Sequence, residues 1–272
     1  VKLRREEAGI AKIKIPKFEE VARCYIEEIS ILKKSYSDEK CTILNFLKES
    51  WASYPINRIV PATINKYKDR RVKELTGNTI NRRLDVLSSM YATFKKEWGY
   101  PVENPVLAIR RPKKAEPRNR RFTDHELDKL IKGNRASPKL RTIIQIALET
   151  GMRQGEILRV KPEHIKGNTI FIPIAKTKPR TIPLTSKAIS LLNNSELPFN
   201  ITGNALSKQF RKLCKHYGIE DAHFHDLRKQ SLTNFMLKKK LSVAETMLIA
   251  GHSDPRMLLR TYNNLKVEDV AK

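Results

Sequence analysis

The chain has 272 residues, with 54 Lys and Arg against 29 Asp and Glu, a formal net charge of +25. That excess points to a polyanionic partner, because basic side chains neutralise phosphates and release their counterions. No apolar run approaches the ~18 residues of a membrane helix and no secretory h-region opens the printed residues, so a cytoplasmic, nucleoid-associated protein is expected, with no membrane partner. The length predicts two domains. Cys24, Cys41 and Cys214 are odd in number and far apart, which fits reduced thiols and neither a disulfide framework nor a zinc site.

Residues 1–16 are basic and lack a persistent apolar face, as in a linker remnant or arm. From Lys17 a helical period begins, with Phe18, Val21, Ala22, Tyr25, Ile26 and Ile29 at three- and four-residue steps. Leu44, Phe46, Leu47 and Trp51 predict a second helix, Pro61 to Leu75 a third, and Thr79 to Trp98 a fourth with Ile80, Leu84, Leu87, Met90, Tyr91 and Phe94. A four-helix domain over 17–104 follows, with no strand in it. Arg70, Arg71, Arg82 and Arg83 are its candidate phosphate contacts.

Residues 105–121 read as an interdomain linker, kept extended by Pro105, Pro112 and Pro117. It carries Arg110, Arg111, Lys113, Lys114, Arg118, Arg120 and Arg121, a set suited to crossing a duplex backbone. A second domain over 122–272 opens at the capping box Thr123 to Glu126. Ser137 and Pro138 start the next helix, which stops at Gly151. Ile170, Ile172 and Ile174 then alternate, and Thr181, Ile182 and Pro183 resume after a polar turn bearing Lys176, Lys178 and Arg180. This predicts a β-hairpin or a small three-stranded sheet in an otherwise helical domain. Helical spacing returns with Ala188, Leu191 and Leu192, and again with Leu206, Phe210, Leu213 and Tyr217. Ser242 and Glu245 form a capping box for a helix that Gly251 ends, and Asp254 with Pro255 can start another that carries Tyr262.

Five fragments stand in order: Arg153 in Thr150-Gly151-Met152-Arg153-Gln154-Gly155-Glu156, Lys176 in Ala175-Lys176-Thr177-Lys178-Pro179-Arg180, His225-Asp226-Leu227-Arg228, Gly251-His252, and Tyr262. In this the chain resembles the tyrosine recombinases, or phage integrase family, over roughly 120–265 and more loosely back to about residue 17. The resemblance implies a mainly α fold: an N-terminal four-helix core-binding (SAM-like) domain and an α-rich catalytic domain of the DNA breaking-rejoining enzyme fold, with a small three-stranded antiparallel sheet. It implies Arg153, Lys176, His225, Arg228, His252 and Tyr262 as catalytic residues, with Glu156 in support. Arg82, Arg83, Arg110, Arg111, Lys113, Lys114, Lys178 and Arg180 are the expected DNA contacts. The hairpin turn lacks the glycine often found after the family lysine, which leaves Lys178 as a fallback for Lys176. His252 to Tyr262 is ten residues where many members have nine.

The residue types suit phosphodiester chemistry. A guanidinium fork binds non-bridging phosphate oxygens in bidentate fashion and stays protonated. A histidine near its ~6.5 reference pKa can take the phenol proton, so His225 is the candidate base for Tyr262. By resemblance, Lys176 protonates the 5′-leaving oxygen and His252 hydrogen-bonds the scissile phosphate. Bond energy kept in a 3′-phosphotyrosine makes ATP unnecessary, and no cofactor or metal is expected. The partners implied are double-stranded DNA attachment sites, a homo-tetramer on synapsed DNA closed by residues 263–272 of neighbouring protomers, and DNA-bending accessory or excisionase proteins. The integrase of a prophage or other mobile element is the expected role. A chromosome-dimer resolvase, a type IB topoisomerase and a catalytically decayed DNA-binding protein are the alternatives.

Overall fold

The computed structural model describes residues 14–116, 118, 120–174, 178–256 and 258. The chain divides into two units, Val1–Pro117 and Arg118–Lys272. In the first, α1 (Phe18–Glu28) buries the face formed by Phe18, Val21, Ala22, Tyr25 and Ile26. Its first turn is fixed where the Lys17 amide donates to Glu20 at 3.0 Å.

The second helix is shorter than its apolar residues suggest. Helix α2 (Tyr36–Phe46) ends before Trp51, Leu44 lies exposed, and Ile43 and Phe46 carry the buried face. On a continuous helix Trp51 would sit about 140° round from Phe46, at roughly 100° per residue. A separate 3₁₀ turn, Ser50–Ser53, brings it back so that its ring lies 4.9 Å from Phe18 and 5.8 Å from Phe46. The same stretch buries Glu49, whose carboxylate takes Arg71 at 2.8 Å and also Arg70. These two arginines are therefore ion-paired within the unit.

Helix α3 (Pro61–Arg71) starts on its proline as expected but stops before Leu75. Thr76 then caps α4 (Gly77–Lys96), its hydroxyl accepting the Thr79 amide at 3.3 Å. Ile80, Leu84, Leu87, Met90, Tyr91 and Phe94 of α4 are buried, as their spacing requires.

The stretch after α4 is less open than its prolines predict. Val106 and Ile109 are buried in the first unit's core. Asn81 donates to the Pro112 carbonyl at 2.9 Å, and Arg111 reaches Asp85 at 2.6 Å. A Cβ on Gly77 would fall 2.2 Å from the Lys113 carbonyl oxygen, so only glycine admits this approach. Residues 105–113 thus pack along α4 as an edge of the first unit.

The second unit opens at α5 (Asp124–Lys132), where Thr123 and Glu126 make the expected capping box. Helix α6 (Pro138–Thr150) runs from the Ser137 cap to Gly151, whose φ of +62° suits glycine. A short α7 (Gln154–Ile157) leads into an antiparallel sheet of order β1-β2-β3: β1 (Ile165–Lys166), β2 (Thr169–Ile172) and β3 (Arg180–Pro183). Ile170 pairs with Ile182, and both are buried with Ile172. Ile174 breaks the expected alternation: β2 stops at Ile172 and Ile174 is exposed. Pro173 accounts for that end, having no N–H to give the ladder. Then follow α8 (Ser186–Asn193), α9 (Gly203–His216), α10 (Phe224–Leu237) and α11 (Val243–Ala250). Helix α6 is central, packed on α8 and α10. Among the described residues no helix is long and apolar enough to cross a membrane.

Candidate active site

Helix ends build the site. Gly151 stops α6, and two residues later Arg153 is the N-cap of α7. From the first turn of α7, Glu156 turns back: its carboxylate accepts the Arg153 amide at 2.9 Å and the Arg153 guanidinium at 3.0 Å. Only 3% of the Glu156 side chain is exposed, so this carboxylate is a fixed internal anchor for Arg153.

His225 and Arg228 lie three residues apart on the first turns of α10, facing the same side. Arg228 is buried and donates to two peptide carbonyls, Gly151 at the end of α6 and Ala250 at 2.7 Å at the end of α11. Two helix C-termini thus hold one cation, the end of the macrodipole at which a positive charge is favoured. Burial first, then the Arg153 cation, pushes the Arg228 pKa down to about 9, which still leaves it charged at neutral pH.

Gly251 ends α11 with a φ of +64°, and the chain reverses to place the His252 ring 3.1 Å from the Arg228 guanidinium. Arginine offers no lone pair, so Nε2 of His252 is the acceptor in this contact and a neutral ring carries its proton on Nδ1. That Nδ1 is buried and has no partner among the described residues. Burial, then the cations Arg228, Arg153 and Arg180 and the ring of His225, lower the His252 pKa to about 4. His225 is shifted the same way by its packed surroundings and by Arg228 and Lys229. Its open face to solvent limits that effect. Both shifts favour the neutral ring, and since Nε2 of His252 already accepts from Arg228, His225 is the ring left to take a proton.

Two residues have parts in this site that the sequence did not signal. Asp226, between the two motif residues, is buried and caps α10 by accepting the His223 amide at 2.9 Å. It also meets Arg118 at 3.2 Å and Lys229 at 3.3 Å, which ties the start of this unit to the helix bearing His225 and Arg228. Its place as the acid at N3, three residues after the N-cap His223, was the available signal. Arg180 is the second. It was expected on the polar turn as a DNA contact, but it is the first residue of β3 with only 7% of its side chain exposed. Its guanidinium lies along Glu156 instead, at 3.0 and 2.9 Å.

Arg153, Glu156, His225, Arg228 and His252 therefore converge in one unit. Lys176 and Tyr262 lie outside the described residues. Of the expected surface contacts, Arg82, Arg110, Lys113, Lys114 and Lys178 are exposed, Arg83 donates to the Tyr67 hydroxyl at 3.3 Å, and Arg111 is engaged with Asp85.

Residues 120–196 and 199–269 match the phage integrase family. The chain belongs to that family, the tyrosine recombinases. It is by class a DNA strand-transferring enzyme of the site-specific recombinase type. A shufflon-specific DNA recombinase of Escherichia coli is 34% identical over 266 residues, covering 89% of this chain and 67% of that protein. The integrase of Escherichia phage P2 is 26% identical over 201 residues, covering 72% and 58%. Among solved structures, a λ integrase dimer bound to a core site superposes with a TM-score of 0.76 at 20% identity, covering 88% of this chain and 96% of the other. The Tn1549 transposon integrase with circular intermediate DNA gives a TM-score of 0.75 at 15% identity, covering 94% and 98%. With these two solved structures the chain shares its fold.

Proposed function

We propose that this recombinase is the integrase of a prophage or other mobile element, and that it cuts and rejoins duplex DNA at an attachment site through Tyr262. The phenolic oxygen attacks the scissile phosphorus as its proton passes to His225. The bond from phosphorus to the 5′-oxygen breaks, and Lys176 supplies the proton that this oxygen takes up. A 3′-phosphotyrosine and a free 5′-hydroxyl result, and attack by a 5′-hydroxyl in the reverse sense rejoins a strand without ATP. Arg153 and Arg228 hold the non-bridging oxygens, and a ring N–H of His252 would hydrogen-bond one of them. Preorganised donors of this kind are worth about 2.7–4 kcal/mol of barrier each.

The observation that carries this reading is the meeting of Arg228 with His252 at 3.1 Å, on the same unit as the Glu156-anchored Arg153. The exposed basic residues of both units, Arg82, Arg110, Lys113, Lys114 and Lys178, would take the flanking phosphates. Since one solved λ integrase is a tetramer on a Holliday junction, four copies on two duplexes are the assembly we assign to synapsis.

Covalent capture tests the reading. A pool of nicked duplexes with randomised sequence, from which the short fragment bearing the freed 5′-hydroxyl can diffuse away, should trap the wild-type protein on DNA of one consensus. Tyr262→Phe should give no adduct while retaining binding, because only a hydroxyl is removed. Capture across unrelated sequences would indicate a topoisomerase, and no capture a binding protein. An adduct formed by Tyr262→Phe would place the nucleophile elsewhere.

A further inference from the structure

Arg180 touches three elements that each bear part of the site. Its two terminal nitrogens straddle the Glu156 carboxylate at 3.0 and 2.9 Å, and Glu156 in turn holds Arg153. Its Nε donates to the Ile249 carbonyl at 2.9 Å, in the last turn of α11 and three residues before His252. It also begins β3, the strand that leaves the turn bearing Lys178. Every contact is charged or directional, and the side chain is almost wholly enclosed. A cation placed so deeply binds no DNA phosphate from the surface, yet it has a cost of burial that an ordinary core residue would avoid.

Gly251 marks how closely this arrangement is fitted. A Cβ there would lie 3.0 Å from both Cδ and Nε of Arg180 and 3.1 Å from Cζ. The turn that delivers His252 is thus moulded around the Arg180 side chain. A lysine in its place reaches one carboxylate oxygen or the Ile249 carbonyl but cannot span both in the plane of a guanidinium.

We propose that Arg180 is a positioning residue for strand cleavage, which fixes Arg153 through Glu156 and His252 through the end of α11, so that both meet one phosphate. The role rests on the cleavage reaction assigned above. It makes the register of β3 a part of active-site geometry: a displacement of the strand moves the Glu156 carboxylate and the α11 terminus together. Arg180 also adds its charge to those of Arg228 and Arg153 beside the His252 ring, with Glu156 and His225 the other titratable groups there.

Arg180→Gln and Arg180→Lys, each verified as folded by circular dichroism, separate this role from the alternatives. On the nicked duplex captured by the wild type, both should cleave about 100-fold more slowly, the loss expected of misplaced catalytic groups. The salt dependence of non-covalent binding should be unchanged, whereas a lost phosphate contact would lower the slope by about one. Cleavage within twofold of wild type in both variants, or a reduced salt slope, would overturn the proposal. NMR titration of the His252 ring gives a readout without DNA. Its midpoint should rise in Arg180→Gln, and an unmoved midpoint overturns the proposal even where the wild type captures no DNA and the cleavage assignment itself has failed.

Discussion

Replacing Glu156 by glutamine changes almost no volume and removes one negative charge from between two guanidiniums. In the wild type the carboxylate accepts four hydrogen bonds, from the Arg153 amide at 2.9 Å, the Arg153 side chain at 3.0 Å and Arg180 at 3.0 and 2.9 Å. Glutamine keeps one acceptor oxygen and turns an amino group towards a guanidinium, so one buried cation loses its partner. Breaking a buried ion pair from one side costs about 3–5 kcal/mol. The surviving oxygen puts the expectation near the lower end, about 3 kcal/mol, or roughly 6–12 °C in the melting of a unit of this size. Burial alone would raise the Glu156 pKa, but hydrogen bonds from Arg180 and the Arg153 amide outweigh it and hold it below the usual value. The sign follows from that. An unfolded chain with a carboxyl pKa of about 4.3 binds the proton first, so the carboxylate's contribution is complete above that pH and fades as pH falls through the lower folded value. Urea unfolding followed by far-UV circular dichroism should show the gap between wild type and Glu156→Gln in full at pH 7 and closing below pH 4. Both tryptophans, Trp51 and Trp98, belong to the first unit, so their emission provides a control. A gap at pH 7 under about 0.5 kcal/mol, the range of ordinary surface changes, would refute the reasoning.

Lys176→Ala should slow cleavage strongly on an ordinary phosphodiester and recover when the 5′-leaving oxygen is replaced by sulfur, since a thiolate leaves without a proton. Rescue of Lys178→Ala in its place would exchange the two lysines. Gly251→Ala should destabilise the second unit by about 1–2 kcal/mol through its left-handed backbone alone, and cleavage should fall further because the new methyl presses on Arg180. Gly167→Ala is its control, with a φ of +57° and nothing within 4 Å of the added carbon, so it should lose stability and keep its rate. Equal rates in the two alanine variants would show that Arg180 tolerates the intrusion.

The fold was legible wherever apolar spacing met a capping signal. Phe18 to Ile26 and Ile80 to Phe94 declare their buried faces by period, and Thr123, Ser137 and Ser242 mark helix starts by hydroxyl and, at two of them, a glutamate three residues on. Trp51 misled because an aromatic side chain reports burial and says nothing of which backbone delivers it. The extent of the packed stretch after α4 was hidden for another reason. Prolines and arginines at 110–118 describe an open segment locally, whereas Asn81 and Gly77, some thirty residues earlier, are what hold it down. The expected site residues within the described chain were singled out by motif fragments in a fixed order and by the resemblance they carry, since His225 and Arg228 share a helix face but Arg153 and His252 come from distant stretches. Arg180 was misread because a basic residue beside a polar turn is ordinarily exposed, and its partner Glu156 lies twenty-four residues away in a different element.

Arg228 owes its anchorage to peptide carbonyls, which hold it without cancelling its charge. Arg153 and Arg180, by contrast, share the single carboxylate of Glu156. With both histidines neutral, the three guanidiniums and one carboxylate leave two uncompensated positive charges. A phosphodiester brings one negative charge to the proposed reaction, and its pentacoordinate transition state carries two. Apart from Lys176, whose charge goes with the proton it gives the 5′-oxygen, the cluster is over-positive for the substrate and closer to balance for the species at the top of the barrier, so complementarity grows as the reaction climbs. Interactions that are stronger in the transition state than in the ground state are the ones that accelerate chemistry. A carboxylate in place of the Gly151 or Ala250 carbonyl would hold Arg228 as firmly and would spend that difference before any DNA arrived.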